Sequence, residues 1–301
     1  METRSIVKSG PSSYVVSLPL KWIKSNRLRK GDNIFIEEKD NKIICSSSAK
    51  SEDPERSFRI DASSTKDVLE RMLKSAYLGG YHTFILEGEV KNKAKEFREI
   101  IDQLVAVEIM EQGGQRIIAH ELLDKSKNSP DKILKRIDMI IRGMFEDLAS
   151  ENGLYQNFVE RDKDVNRLHL LAERLVLHAY SNPGYAEEVS LTGFNIVLDT
   201  KALDFLEIIA DGLKECSKVS DLQKRNKELI GKLRKRYLEV MDAYYKRDAK
   251  AAVSCSCKTK EALSWIEEYP KTVQGIEFIM PLRTVILMLD ELSLVILNKS
   301  T

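Results

Sequence analysis

The chain has 301 residues, enough for two or three domains, and its 43% hydrophobic and 32% charged residues are an ordinary balance for a globular protein. No apolar run approaches the roughly 18 residues that span a bilayer, and no apolar signal core opens the chain, so the expected compartment is the cytoplasm. The four cysteines, Cys45, Cys216, Cys255 and Cys257, form no CxxC pair and no zinc spacing; the four histidines are scattered; and neither a Ser/His/Asp arrangement nor a GxxxxGK[ST] phosphate loop is present. The common catalytic signatures are thereby excluded.

The overall charge of +1 conceals an asymmetry. Residues 1–30 hold Arg4, Lys8, Lys21, Lys24, Arg27, Arg29 and Lys30 against one acid, Glu2, a net charge of +6. Positive charge concentrated on a small module is the footprint of a polyanion partner. Thr3–Val7 and Tyr14–Leu18 read as strands around the Gly10-Pro11 turn, and Lys21–Ser25 as a short helix after Pro19-Leu20. Gly31-Asp32 turns the chain into Asn33–Glu37, with Ile34 and Ile36 on one face, and Asp40-Asn41 closes a hairpin with Lys42–Ser46. A module of this size hardly buries a core alone, and it reads as half of a dimeric β unit built to grip DNA.

Gly10-x-Ser12-Ser13-Tyr14-Val15-Val16-Ser17-Leu18-Pro19, Trp22 and Leu28-x-x-Gly31-Asp32 together resemble the AbrB-type (SpoVT/AbrB-like) swapped-hairpin DNA-binding domain. In that family two chains interleave their hairpins, and basic side chains of the dimer face duplex DNA. The resemblance implies a homodimer here, with Arg4, Lys8 and Lys21 as the first phosphate contacts and Arg27, Arg29 and Lys30 as the second. Such contacts supply affinity and salt dependence more than sequence choice.

Residues 46–57 have the composition of a linker. Residues 58–123 alternate: strand Phe58–Asp61, a helix over Thr65–Tyr77 with Val68, Leu69, Met72 and Ala76 at helical spacing, and strand Thr83–Glu87. A helix over Asn92–Val105 and strands Val107–Met110 and Arg116–His120 around Gly113-Gly114 follow. The order predicts a small βαβαββ unit with helices on one face. Gly79-Gly80 reads as a helix C-cap, and a ligand site at Gly79–His82 is the weaker alternative.

After a second linker, 124–130, the chain reads as helical to its end. Ile133, Ile137, Ile140, Ile141, Met144, Phe145 and Leu148 make one apolar stripe. Val159–Tyr180, Lys201–Ser217, Leu222–Arg247, Ala249–Glu268 and Leu282–Asn298 continue the pattern, with breaks at Asn182-Pro183-Gly184, Ser220-Asp221 and Tyr269-Pro270. Val285–Leu297, although strongly apolar, contains Asp290 and Glu291 and reads as a core helix. Six helices with short breaks predict an antiparallel bundle, and their order suggests two three-helix repeats. The fold class expected is therefore multidomain: a β domain at 1–50, an α/β middle unit at 58–123 and an all-α bundle at 131–298.

Two i,i+4 pairs place oxygen-bearing side chains on single helix faces: Asp162 with Asn166, and Glu207 with Asp211. Helices carrying such pairs can offer a hard cation several oxygens, although an ordinary solvated face explains the spacing as well. Glu160 and Asp164 make a competing pair that spacing alone does not rank. Residues 131–298 resemble the PhoU family of phosphate-signalling helical bundles, through Val159-Glu-Arg-Asp162-Lys-Asp-Val165-Asn166-Arg-Leu168, Leu206-Glu207-Ile-Ile-Ala210-Asp211 and Tyr245-Lys-Arg-Asp248-Ala-Lys-Ala-Ala-Val253. An AbrB-type head on a PhoU-type body is similar to archaeal phosphate-uptake regulators. That resemblance implies acidic motifs that hold metal. The chain departs from the pattern at Asn166, at the acid-free Ser254–Lys260 and at Ile286-x-x-x-Asp290. The first site keeps Asp162, Glu207 and Asp211, with Asn166 in place of an acid, and suits one divalent or iron-type ion or none.

The resemblance implies a non-enzymatic, cytoplasmic, DNA-binding regulator of phosphate uptake. Its bundle would sense phosphate status through a phosphate ABC transporter or a signalling protein. The alternative is an adaptor that dimerises through the head and acts on the transporter without DNA. A metal-dependent hydrolase is disfavoured, because no nucleophile or base pairs with Glu207 and Asp211.

Overall fold

The computed structural model describes residues 2–39, 42–47, 55–150, 154–191, 193–219, 224–267 and 272–300. The Asp40-Asn41 turn, most of the first linker and the breaks at Ser220-Asp221 and Tyr269-Pro270 lie outside the described residues. The chain forms two compact units, Met1–Pro54 and Glu55–Thr301.

The first unit is made of two short hairpins and a helix. Strands β1 (Val7–Lys8) and β2 (Tyr14–Val15) pair antiparallel and are shorter than the alternation suggests. Helix α1 (Leu20–Ser25) follows Pro19, and β3 (Phe35–Lys39) pairs with β4 (Lys42–Ser46). Gly10 and Gly31, at φ +85° and +99°, take the left-handed conformations that their turns require. Asp32 clamps the second turn: its carboxylate accepts from the Arg29 backbone N–H at 2.7 Å, and its own N–H donates to the Arg29 carbonyl at 3.1 Å.

The second unit begins with a four-stranded sheet in the order β5-β6-β8-β7. Strand β5 (Ser57–Asp61) runs parallel to β6 (Thr83–Glu87), so the chain crosses over through helix α2 (Lys66–Leu78). Helix α3 (Ala94–Ile101) leads to the antiparallel hairpin β7 (Val107–Gln112) and β8 (Arg116–Glu121), irregular between Ile109 and Glu111. Phe84, Leu86, Ile117 and Ala119 pack against Leu69, Leu73, Tyr77, Phe97 and Ile100. The buried face of α2 is thus 69/73/76/77. Val68 and Met72, expected on that face, are exposed because they lie one position off the i, i+4 row that the sheet covers. Gly79 is the C-cap of α2 and Gly80, at φ +82°, follows it in the left-handed region.

The helical region contains α4 (Pro130–Ala149), α5 (Tyr155–Ser181), the short α6 (Pro183–Glu188), α7 (Phe194–Cys216), α8 (Lys224–Lys246), α9 (Ala249–Cys257), α10 (Thr259–Glu267) and α11 (Val273–Ser300). Ser129 caps α4 and Pro130 opens it, where its missing N–H costs nothing. The helix expected over Ala249–Glu268 is divided at Lys258, whose N–H donates to the Cys255 carbonyl in a tight C-cap. The last helix starts nine residues before the expected Leu282 and runs through Pro281. Helix α7 is the centre of the bundle, packed on α4, α5 and α11. At Gly212 it meets α11 so closely that a Cβ there would lie 2.7 Å from Val285 Cγ2 and 3.4 Å from the Pro281 carbonyl oxygen.

Sheet and bundle are joined by a buried ion pair. Arg174 of α5, 1% exposed, donates through Nε to Glu121 Oε1 at 2.6 Å and through Nη2 to Glu121 Oε2 at 2.5 Å and to the Tyr81 carbonyl at 2.9 Å. Its guanidinium lies over the Tyr77 ring, 4.5 Å from the centroid. Breaking such a pair leaves a buried charge uncompensated, so it holds the two layers in one register. Among the described residues, no helix is long and apolar enough to cross a membrane.

Candidate functional site

The six cations singled out in the first unit, Arg4, Lys8, Lys21, Arg27, Arg29 and Lys30, are all exposed. Lys8 ends β1, Lys21 lies in the first turn of α1, and Arg27, Arg29 and Lys30 follow that helix. Arg27 adopts φ +56° to turn the chain out of the helix. Arg4 donates to Glu2 at 2.5 Å, an exposed pair worth little. Among residues 2–47, none whose side chain is described is buried. Ile6 (71% exposed), Tyr14 (67%), Ile36 (64%) and Ile43 (71%) leave their apolar surface open. Short hairpins with that much apolar surface open have little of the burial that stabilises an isolated β unit.

The second candidate site lies where α5 meets α7. Burial ranks the two acidic pairs of α5: Asp162 is buried and Asn166 half-buried, whereas Glu160 and Asp164 are exposed. Asp162 stands four residues after Phe158 and three before Val165, both buried, so it shares their stripe. Glu207 is half-buried on α7 and Asp211 exposed. Lys214, one turn after Asp211, brings the two helices together. Its ammonium donates to Asp162 Oδ2 at 3.0 Å and to Asp211 Oδ1. These contacts outweigh the opposing effect of burial and hold Lys214 firmly protonated.

Burial pushes the Glu207 carboxyl up, and the charges of Asp211 and Asp162 add to this against His169 and Lys214. One turn further along the seam, His169 Nε2 lies 2.9 Å from Asp204 Oδ1. Burial disfavours the imidazolium, but the hydrogen bond to Asp204 and the surrounding carboxylates leave its pKa raised. Asp162 Oδ1 and Asn166 Oδ1 are buried without a hydrogen-bond partner. They are the acceptors left for a hard cation. Among the described residues no three His, Cys, Asp or Glu side chains are gathered to hold a metal, and Lys214 already supplies positive charge to the seam.

Two buried polar centres escape the sequence pattern. Asp138 of α4 accepts from Arg142 Nε at 2.9 Å, from Tyr237 Oη at 2.7 Å and from Tyr245 Oη at 2.9 Å, tying α4 to α8. Arg236 of α8 is 4% exposed and sits between the buried Leu233 and Val240 at steps of three and four. A charged residue interrupting an apolar row is the signal that finds both.

Neither models of known protein families, nor curated proteins, nor solved structures match the chain. Its functional reading rests on the side chains themselves.

Proposed function

We propose that the chain is a homodimeric, DNA-binding regulator of phosphate uptake and homeostasis, of the AbrB–PhoU type that its sequence resembles. The observation that carries this reading is the first unit, where six exposed cations share a small β module with no buried side chain among those described. A second copy would cover the exposed apolar residues and double the basic surface, and phosphate contacts by that surface would give affinity. On the same reading α4, α5 and α7 form one three-helix repeat, and α8, the divided α9–α10 and α11 form the other. The seam between α5 and α7 then serves as a sensing or partner-binding element rather than as a catalytic one, in contact with a phosphate transporter or a signalling protein.

The test is binding of the full chain, and of Arg4→Ala/Lys8→Ala, to duplex fragments upstream of phosphate-transport genes across a salt series. The expected result is specific binding that falls by about a thousandfold or more between roughly 50 and 200 mM salt. The double substitution is expected to flatten that slope and weaken binding. Absence of specific binding at every salt concentration would overturn the DNA reading and favour the adaptor that meets a transporter directly.

A further inference from the structure

Arg236 is the unusual charge of the helical unit. Its Nη2 donates to Thr259 Oγ1 at 2.6 Å, but Nε and Nη1 are buried without a hydrogen-bond partner. No carboxylate lies within ion-pair distance of it among the described residues. Asp290, whose charge acts on Arg236, has its Oδ1 occupied by the hydroxyls of Ser256 at 2.7 Å and Thr259 at 2.9 Å. A guanidinium cannot escape this position by losing its proton, so the unmet donors are a standing cost.

The same side chain lines a cleft of about 310 Å³ between α8 and α10. Lys232 and Lys235, one turn or less before it on α8, and Lys258 at the α9–α10 junction share the cleft. Lys258 is balanced by Glu239 at 3.3 Å and Lys232 by Glu228 at 3.2 Å. Lys235 and Arg236 have no such partner among the described residues; the lining's four cations face two carboxylates, Glu239 and Glu261, which leaves an excess of positive charge. The half-buried indole of Trp265 forms one wall, with Lys232 Nζ 6.0 Å from its ring centre.

We propose that this cleft binds a phosphate-type oxyanion, which accepts hydrogen bonds from Nε and Nη1 of Arg236 and is neutralised by the surrounding lysines. Arg236 lines a cationic cleft with two of its donors unmatched; a guanidinium fork suits phosphate oxygens, and the excess of cations favours a dianion over a carboxylate. The free ion and the terminal phosphate of a phosphoester offer the same oxygens. In the second case a flat ring has Trp265 to lie against. The site lies wholly within the helical unit and is independent of whether the first unit binds DNA.

The experiment is calorimetric titration of the full chain, in phosphate- and sulfate-free buffer at fixed ionic strength, with inorganic phosphate and with adenosine 5′-monophosphate. Saturable binding weakened about tenfold or more by Arg236→Gln is expected. Lys232→Ala/Lys235→Ala, at exposed positions that leave the core intact, is expected to weaken it severalfold, and Lys246→Ala at the far end of α8 to leave it unchanged. Tighter binding of the nucleotide, with the advantage lost in Trp265→Ala, would assign the site to a phosphoester; equal binding of both would assign it to the free ion. No saturable binding up to about 10 mM, or binding indifferent to both the Arg236 and the lysine substitutions, would overturn the proposal.

Discussion

The two buried arginines of the helical region, Arg174 and Arg236, have almost the same exposure and opposite surroundings. Arg174 meets a carboxylate in two parallel hydrogen bonds, a backbone carbonyl and an aromatic face, leaving only Nη1 without a partner. Arg236 meets a single hydroxyl. Burial of a charge is therefore uninformative by itself. A charge completed by its own chain holds a fold together, whereas one left incomplete is a standing cost to it.

Substitutions can break this comparison. The largest effect is expected from Arg174→Met, which strands Glu121 between sheet and bundle. It should cost about 3–5 kcal/mol in urea denaturation, and Arg174→Met/Glu121→Met should recover most of the loss. Arg236→Met is expected to act in the opposite direction. With no anion present, it removes an uncompensated charge and should leave stability unchanged or raise it by about 1–4 kcal/mol. It should also abolish any stabilisation by phosphate, and equal losses at Arg174 and Arg236 would erase the contrast.

Lys214 is an intermediate case, a half-buried cation whose partners all belong to the chain. Lys214→Met is expected to cost about 1–3 kcal/mol, because the buried Asp162 loses its hydrogen-bonded counter-ion. Added Mn²⁺ should restore part of this loss in the variant. Comparable stabilisation of the wild type by Mn²⁺ would show that an ion and Lys214 share the seam.

The smallest effect is expected at His169, which is a cation only below its pKa. Its proton is held more tightly in the folded chain than in the unfolded one, so the interaction with Asp204 stabilises fully below the ordinary value of 6.5 and is lost as pH rises through the raised one. The stability difference between wild type and His169→Gln, measured by denaturation from about pH 6 to about pH 9, should shrink as pH increases. A difference that grows over this range would reverse the assignment.

Local signals made much of the fold legible before any coordinates. Gly10, Pro19 and Gly31 mark turns whose chemistry is contained within a few residues, and the stripe from Ile133 to Leu148 names its own buried face. The misreadings occur where tertiary packing decides. The last helix is expected only from Leu282, yet α11 begins at Val273, passes through Pro281 and packs against Gly212. The break at Lys258 carries neither proline nor glycine and leaves no local trace. For the candidate site, spacing gathered Asp162, Asn166, Glu207 and Asp211 onto facing helices but said nothing of Lys214, because a search for oxygen ligands passes over a cation. Arg236 was visible only as a charge at a core position, and the incompleteness of its surroundings is a property of three helices together.

The open apolar surface of residues 2–47 also has a consequence for how the protein melts. A unit that owes its cohesion to contacts with another molecule unfolds at a temperature that rises with protein concentration, whereas one with its own core does not. Calorimetry at increasing concentrations should therefore separate two transitions, the upper limit of the first moving with dilution and the second fixed. On the proposed homodimer, the first unit would be assembled only above a threshold abundance, so the copy number of the chain would itself act as a control on what that unit can do.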